Sequence, residues 1–321
     1  MSNYHPTMSL EMAHKRAKML ATIRQFFAER EVLEVQTPLM SQAGNTDVFV
    51  PSVSTNLTVQ DKPQQYYLHT SPEFAMKRLL ASWQVPIYQL CPVFRDNEVG
   101  SRHNSEFTML EWYRPGFSLA QLGDELAELL AAVFGYRLIM NHYSYAQAFM
   151  DYVGIHPLQA SCEVLSAIAA DKGLAGIDLG KDHQGWLDLL FSHLVEPNLG
   201  HDLPTLITDY PPATAALAKI KQDKEGNKVA CRFELYINGL EIANAYDELA
   251  DAAALQARFE LDNSERESRG LPTMPIDEHV LAASDELPPC SGIALGIDRL
   301  LMVVTGAKTI EEVLSFPIGQ A

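Results

Sequence analysis

The chain has 321 residues, 47% of them hydrophobic and 20% charged, enough for one large globular domain or two modest ones. Its 24 Lys and Arg against 41 Asp and Glu leave a formal charge of -17, which excludes a broad basic footprint for nucleic acid and leaves any phosphate binding to a few placed arginines. Four scattered cysteines (Cys91, Cys162, Cys231, Cys290) exclude a C-x-x-C zinc site or a disulfide framework, and no run approaches the roughly 18 apolar residues of a membrane span.

Residues 8–30 read as an amphipathic helix, because Met12, Met19, Leu20, Ile23, Phe26 and Phe27 recur at three- and four-residue spacings. "EVLEVQTPLM" then alternates as a strand until Pro38, which cannot donate to a ladder. "PQQYYLHTSPEFAMKRLLAS" predicts a short strand, a turn and a helix entered through Ser71 and Pro72. "CPVFRDNEVGSRHNSEFTMLEWY", residues 91–113, reads as two strands around a polar loop, and residues 117–135 as a helix closing on glycine.

The section at about 144–200 is mainly helical and reads as an insertion. Strands return as "LITDYP", "VACRFELYING" and "LEIANAYDEL", with Asn238-Gly239 a hairpin turn between the last two. The expected class is α+β, an antiparallel sheet flanked by helices, in a single domain over 1–321. The N-terminus lacks the apolar core of a signal peptide, so the expected location is cytoplasmic, with no membrane partner.

Common phosphate-binding signatures fail. "GLAGIDLGKD" has Asp182 where a P-loop needs Ser or Thr, "GIALGID" has too few glycines for a dinucleotide fingerprint, and neither H-E-x-x-H nor G-x-S-x-G occurs.

What remains is distinctive. "PVFRDNEVGSRHNSEFTMLEWY" and "GIALGIDRLLM" resemble motifs 2 and 3 of class II aminoacyl-tRNA synthetases, and "EVQTPLM" resembles motif 1 with its proline. "TSPEFAMKRLL" and "RFELYINGLEIANAYDEL" extend the likeness to the lysyl-tRNA synthetase catalytic domain over most of residues 10–317. Motif 1 begins about 30 residues in, so no anticodon-binding domain is expected ahead of it. With "SPEF", "YRPGF", "DYPPATAALA" and "CSGIALGIDRL", the chain is similar to the free-standing lysyl-tRNA synthetase paralogues that ligate a lysine onto elongation factor P.

The resemblance implies ATP as co-substrate with Mg2+, (R)-β-lysine or lysine as the activated amino acid, elongation factor P as acceptor protein, a homodimer, and no stable tRNA binding. By resemblance Arg95 reaches the carboxylate and α-phosphate, a task suited to a fixed guanidinium fork. Asp96 and Asn97 follow it. His103 and Asn104 meet the triphosphate or adenosine, Phe107 stacks on adenine, and Arg299 covers the other face of the base and the γ-phosphate. Ile242 and Gly296 complete the nucleotide set, and Glu234 with Glu241 holds magnesium, which prefers carboxylate and phosphate oxygens.

For the amino acid, Glu73 is expected at the backbone-type amino group and Tyr113 with Glu248 at the far amino group. Glu111, Ser71, Pro72, Asn244 and Tyr246 are expected around them. Two residues depart from the family pattern. Ala294 stands where the synthetases usually carry glycine, which reshapes the pocket in favour of (R)-β-lysine, and Asn97 stands where they carry the glutamate that accepts from the adenine amine.

Plainer readings exist for several of these residues. Arg95 alone fits a surface ion pair, and Glu241 and Glu248, seven apart, fit one solvated helix face. His103 fits a hydrogen-bonded loop, Trp112 a core aromatic, and the cysteines buried small hydrophobes. At the level of function, the alternatives are a trimmed synthetase charging RNA and a non-catalytic regulatory paralogue.

Overall fold

The computed structural model describes residues 4–174 and 176–321. Contacts divide the chain into two units, one comprising the residues up to Tyr136 together with Glu248–Ala321, the other Arg137–Asp247.

In the first unit, Ser9 caps α1 (Leu10–Ala28) by accepting the Met12 N–H, and Met19, Ile23, Phe26 and Phe27 form its buried stripe. The single strand expected next is instead two dipeptides, β1 (Leu33–Glu34) and β2 (Met40–Ser41), with Pro38 exposed between them. Missing its N–H, Pro38 interrupts the ladder. β3 (Ser54–Val59) and β4 (Lys62–Leu68) form a hairpin that β2 extends in the order β2-β4-β3. α2 (Glu73–Trp83) follows Pro72. β5 (Ile87–Phe94) and β6 (Glu106–Pro115) then pair antiparallel, from Ile87↔Tyr113 to Phe94↔Glu106. α3 (Leu119–Phe134) starts at a Ser118/Gln121 capping box and ends at Gly135 with φ 79°, conformations those residues favour.

The second unit opens with β7 (Asn141–Ser144), followed by α4 (Tyr145–Tyr152), α5 (Cys162–Asp171) and α6 (His183–Leu190). A π turn and a 3-10 turn carry α6 on to Asn198, so helices separated by loops occupy most of the described residues between Tyr145 and Asn198. β8 (Thr205–Tyr210), β9 (Ile220–Gln222), β10 (Lys228–Ile237) and β11 (Leu240–Asp247) complete this unit. Its strands run β11-β10-β8-β7, with β9 on β10, and all pairs are antiparallel except β7 with β8. Asn238 and Gly239 have φ 54° and 66°, the pair of positive values a tight two-residue hairpin needs. Phe149, Trp186, Leu190, Ile207 and Tyr236 share the core beneath.

The chain then returns to the first unit with α7 (Ala252–Ser268), α8 (Glu278–Ser284), β12 (Cys290–Gly296) and α9 (Ile297–Thr305). The order there is β1-β5-β6-β12, with β1 parallel to β5 and the rest antiparallel. α3 packs on β12, α9 on β6, and α2 on α8. The architecture is α+β, with mainly antiparallel sheets flanked by helices. Among the described residues no helix is long and apolar enough to cross a membrane, and Cys91, Cys162, Cys231 and Cys290 are all free thiols.

Candidate active site

Three strands of the first unit carry a lattice of chemistry. Register places Ile87, Tyr113 and Gly292 in one row across β5, β6 and β12, with Gln89, Glu111 and Ala294 in the next row along the same face. Met76 and Leu80 of α2 pack against Ile87 and Tyr113, so α2 covers this face.

Glu73 begins α2, and Lys77 stands one turn later. The Lys77 Nζ lies 2.7 Å from Glu73 Oε1 and 2.7 Å from Glu248 Oε2, and 2% of the lysine side chain is exposed. Burial opposes its charge, but the two carboxylates overcome that cost and the ammonium holds its proton more firmly than an ordinary lysine. Both carboxylates thus converge on one ammonium, whereas the sequence assigned them to separate amino groups.

Tyr113 donates instead to Glu111 Oε1, at 2.5 Å. Burial, then the Glu73 carboxylate, pushes the Glu111 pKa well above the usual range, and the Tyr113 phenol is raised by burial and by Glu111. Gly292 makes this packing possible: a Cβ there would collide with Glu248 Oε1 and the Tyr113 ring. Ser71 accepts the Glu73 N–H at 3.3 Å beside the buried Pro72, and half-buried Ala294 sits opposite Glu111.

The loop between β5 and β6 holds the remaining motif 2 residues. The Arg95 guanidinium lies 5.1 Å from the centroid of the Phe107 ring and its Nη1 is 3.7 Å from Glu98 Oε1. Its Nε–H is buried without a hydrogen-bond partner, a donor suited to an anionic oxygen. Asp96 and Asn97 are exposed. The Asp96 N–H donates to Pro51 O at 2.9 Å, and Asp96 Oδ1 accepts the Asn97 N–H at 2.9 Å.

The Arg299 Nη2 meets His103 Nε2 at 2.5 Å. Burial first, and the Arg299 charge second, lowers the His103 pKa, so the neutral ring accepts that bond. Asn104 is buried and engaged internally, donating to Glu106 O at 2.6 Å and accepting the Ile318 N–H at 3.0 Å. Gly296 is the N-cap of α9, whose Asp298 accepts from Arg16 and from the Thr108 N–H, anchoring the helix that carries Arg299.

In the second unit, Glu234 accepts from Arg232, from the Tyr210 hydroxyl and from the Tyr236 hydroxyl. Arg232 Nε also donates to Asn244 Oδ1 at 3.0 Å, and Asn244 Nδ2 to the Tyr246 hydroxyl at 3.0 Å. The pairing shifts between Leu235 and Tyr236, so Tyr236 opposes Glu241 while Glu234 opposes Asn244. This bulge takes up Ile242, which is buried, and turns Glu241 onto the face of Glu234. Because Glu241 lies in β11 and Glu248 directly follows the end of that strand, the helix-stripe reading of Glu241 and Glu248 does not hold. Glu234 and Glu241 are hard oxygen donors of the kind Mg2+ takes, but three of the roughly four lone-pair sites of Glu234 are already used, and no cluster of three or more potential metal ligands occurs among the described residues.

The structure adds Lys77, Arg232 and Gly292 to the residues read from sequence. The first two had a signal: Lys77 is four residues after Glu73 in a helix, and Arg232 is two before Glu234 in a strand. Trp112 is fully buried, donating to Glu125 Oε2 at 3.0 Å, as a core aromatic should.

The profile of a family described as tRNA synthetases class II (D, K and N) matches residues 4–320. A protein of Proteus mirabilis (strain HI4320) named elongation factor P–(R)-β-lysine ligase is 45% identical over 324 residues, which cover 100% of this chain and 99% of that protein.

Proposed function

We propose, for a chain that belongs to the class II tRNA synthetases (D, K and N), that it is an ATP-dependent ligase joining (R)-β-lysine, or lysine, to a lysine of elongation factor P. The observation that carries this reading is the hold of Glu73 and Glu248 on an alkylammonium, 2.7 Å from each, with Glu111 and Tyr113 on the same face. Three carboxylates against one resident lysine leave the pocket an excess of negative charge, which is the complement of a substrate with two amino groups.

In the first step the amino-acid carboxylate attacks the α-phosphorus of ATP, the bond to the β-phosphate oxygen breaks, and pyrophosphate leaves. Negative charge grows on the phosphate oxygens, and Arg95 is assigned to meet it, a role supported by a buried Nε donor that has no partner inside the protein. Arg299, held by His103, is assigned to the triphosphate and adenine, and Phe107 to the base. Gly296, Asp96, Asn97 and Asn104 belong to the same nucleotide set. In the second unit, Glu234 and Glu241 are the proposed ligands of a magnesium ion, which neutralises phosphate charge when bound. Ile242, Asn244 and Tyr246 are assigned there to the substrates.

In the second step the neutral ε-amino group of the acceptor lysine attacks the acyl carbon, AMP departs with the bonding electrons, and the amine proton passes to solvent. Residues 1–321 are proposed to form one catalytic domain that acts as a homodimer and in the cytoplasm. The charge of -17 supports the expectation that tRNA is not bound stably.

ATP:pyrophosphate exchange tests the first step. Arg95→Ala is expected to lower exchange by about 10²-fold or more while the melting temperature stays near wild type. Exchange retained within about tenfold contradicts the role given to Arg95.

A further inference from the structure

Gln89 is 1% exposed in the middle of β5, among Tyr88, Cys91 and Val93, all buried. Neither its Oε1 nor its Nε2 has a hydrogen-bond partner, and Glu111 Oε2, on the residue directly opposite in β6, has none either. Three buried polar atoms therefore belong to residues paired across adjacent strands, each leaving unmade a bond whose absence costs about 1–3 kcal/mol. The Cys91 thiol, two residues along the same face, lies beside the Gln89 amide but is a weak hydrogen-bonding group that burial pushes up to about 12, so it supplies no charge and does not satisfy the amide.

We propose that Gln89, together with Glu111, receives one of the two ammonium groups of the diamino acid and so determines which amino acids the pocket accepts. The inference rests on the diamino-acid reading above. One N–H of an ammonium reaches the Gln89 carbonyl oxygen and another Glu111 Oε2, and the Gln89 amide hydrogens then have the Glu111 carboxylate to donate to. The row of Gln89 and Glu111 is two residues along the strands from that of Tyr113 and Gly292, where Glu248 lies. Two residues of strand span about 6.7 Å. A site with two cation-accepting rows at that spacing suits one extended diamino acid better than an amino acid with a single amino group.

Gln89→Met keeps the volume and removes both amide atoms, so a merely structural role and a binding role separate. Exchange kinetics are measured with (R)-β-lysine, 6-aminohexanoate and 3-aminohexanoate, alongside the KM for ATP and the melting temperature. Gln89→Met is expected to melt no lower than wild type, because an unpartnered amide has been removed, and to keep its KM for ATP. Its KM for (R)-β-lysine is expected to rise about tenfold, equivalent to ~1.4 kcal/mol. The disadvantage of one aminohexanoate relative to the diamino acid should shrink by a similar factor while that of the other is unchanged. Gln89→Asn, which keeps the amide and withdraws it by one carbon, is expected to fall between the two.

Active wild type with an unaltered KM and unaltered preference in both variants overturns the inference alone, and means that water serves the amide. Wild type inert with every amino acid tested overturns the parent reading and this inference with it.

Discussion

Lys77 Nζ and Glu248 Oε2 lie 2.7 Å apart with 2% of each side chain exposed, and the same nitrogen is 2.7 Å from Glu73. Removing one member of a buried pair leaves its partner's charge uncompensated, at about 3–5 kcal/mol. Lys77→Met is therefore expected to lose about that much stability in urea unfolding, and to recover more of it than wild type gains when (R)-β-lysine is added, since the ligand supplies the missing ammonium. A loss below about 1 kcal/mol would show that the two carboxylates do not depend on this lysine.

Glu111 carries a pH dependence of definite sign. Burial raises its pKa in the folded protein above the unfolded value. Below the unfolded pKa the group is protonated in both states and has no effect. As pH rises above it, the unfolded chain ionises first and is favoured, so the folded protein is penalised increasingly towards neutral pH. Glu111→Gln is expected to melt higher than wild type at pH 7, by a margin that vanishes near pH 4 and grows by at most about 1.4 kcal/mol per pH unit between them. Amino-acid activation should fall in the same variant. A margin independent of pH contradicts a raised Glu111 pKa.

Gly292 tests the packing of the same pocket. Its added methyl group would meet Glu248 Oε1 and the Tyr113 ring, both of them buried. Gly292→Ala is expected to cost about 1–3 kcal/mol of stability. It should raise the KM for the amino acid while leaving that for ATP near wild type, as measured by exchange kinetics. Equal effects on both substrates would argue against a role confined to the amino-acid pocket.

The elements with local signals were legible. α1, expected over 8–30, runs Leu10–Ala28, and the Asn238-Gly239 turn joins β10 to β11. Pairing between distant strands was not, and β1 with β5 and β7 with β8 are parallel. The site divided in the same way. Arg95, Glu73, Glu111 and Glu248 were recognisable from motif residues, but Lys77 looks in sequence like any exposed Glu–Lys helix pair, and only the fold buries it. Gln89 hides inside the strand "IYQLCPVF", where one polar residue carries no periodic signal. The bulge that turns Glu241 onto the Glu234 face depends on register, which no local pattern encodes.

Asn97 has a backbone reason to be asparagine that the sequence did not disclose: its φ is 57°, in the left-handed region that asparagine tolerates better than glutamate. Restoring the family glutamate therefore adds a charged acceptor for the adenine amine, at about 1.5–3 kcal/mol instead of 0.5–1.5, but also adds strain of about 1–2 kcal/mol. Asn97→Glu is expected to leave the KM for ATP within about threefold of wild type and to sharpen the preference for ATP over GTP by up to about tenfold. Asn97→Gly, which relieves the backbone and removes the amide, should lose preference for ATP. Unchanged nucleotide preference in both variants would mean that Asn97 serves the loop and does not read the base.

The central claim is that the activated diamino acid passes to a protein lysine. Its most direct test is intact-mass and peptide mass spectrometry of elongation factor P after incubation with this protein, ATP, Mg2+ and (R)-β-lysine. The account predicts a single addition of one lysyl residue at one lysine of the acceptor, absent without ATP and strongly reduced with Arg95→Ala. An unmodified acceptor, alongside robust pyrophosphate exchange and efficient charging of tRNA, would contradict it.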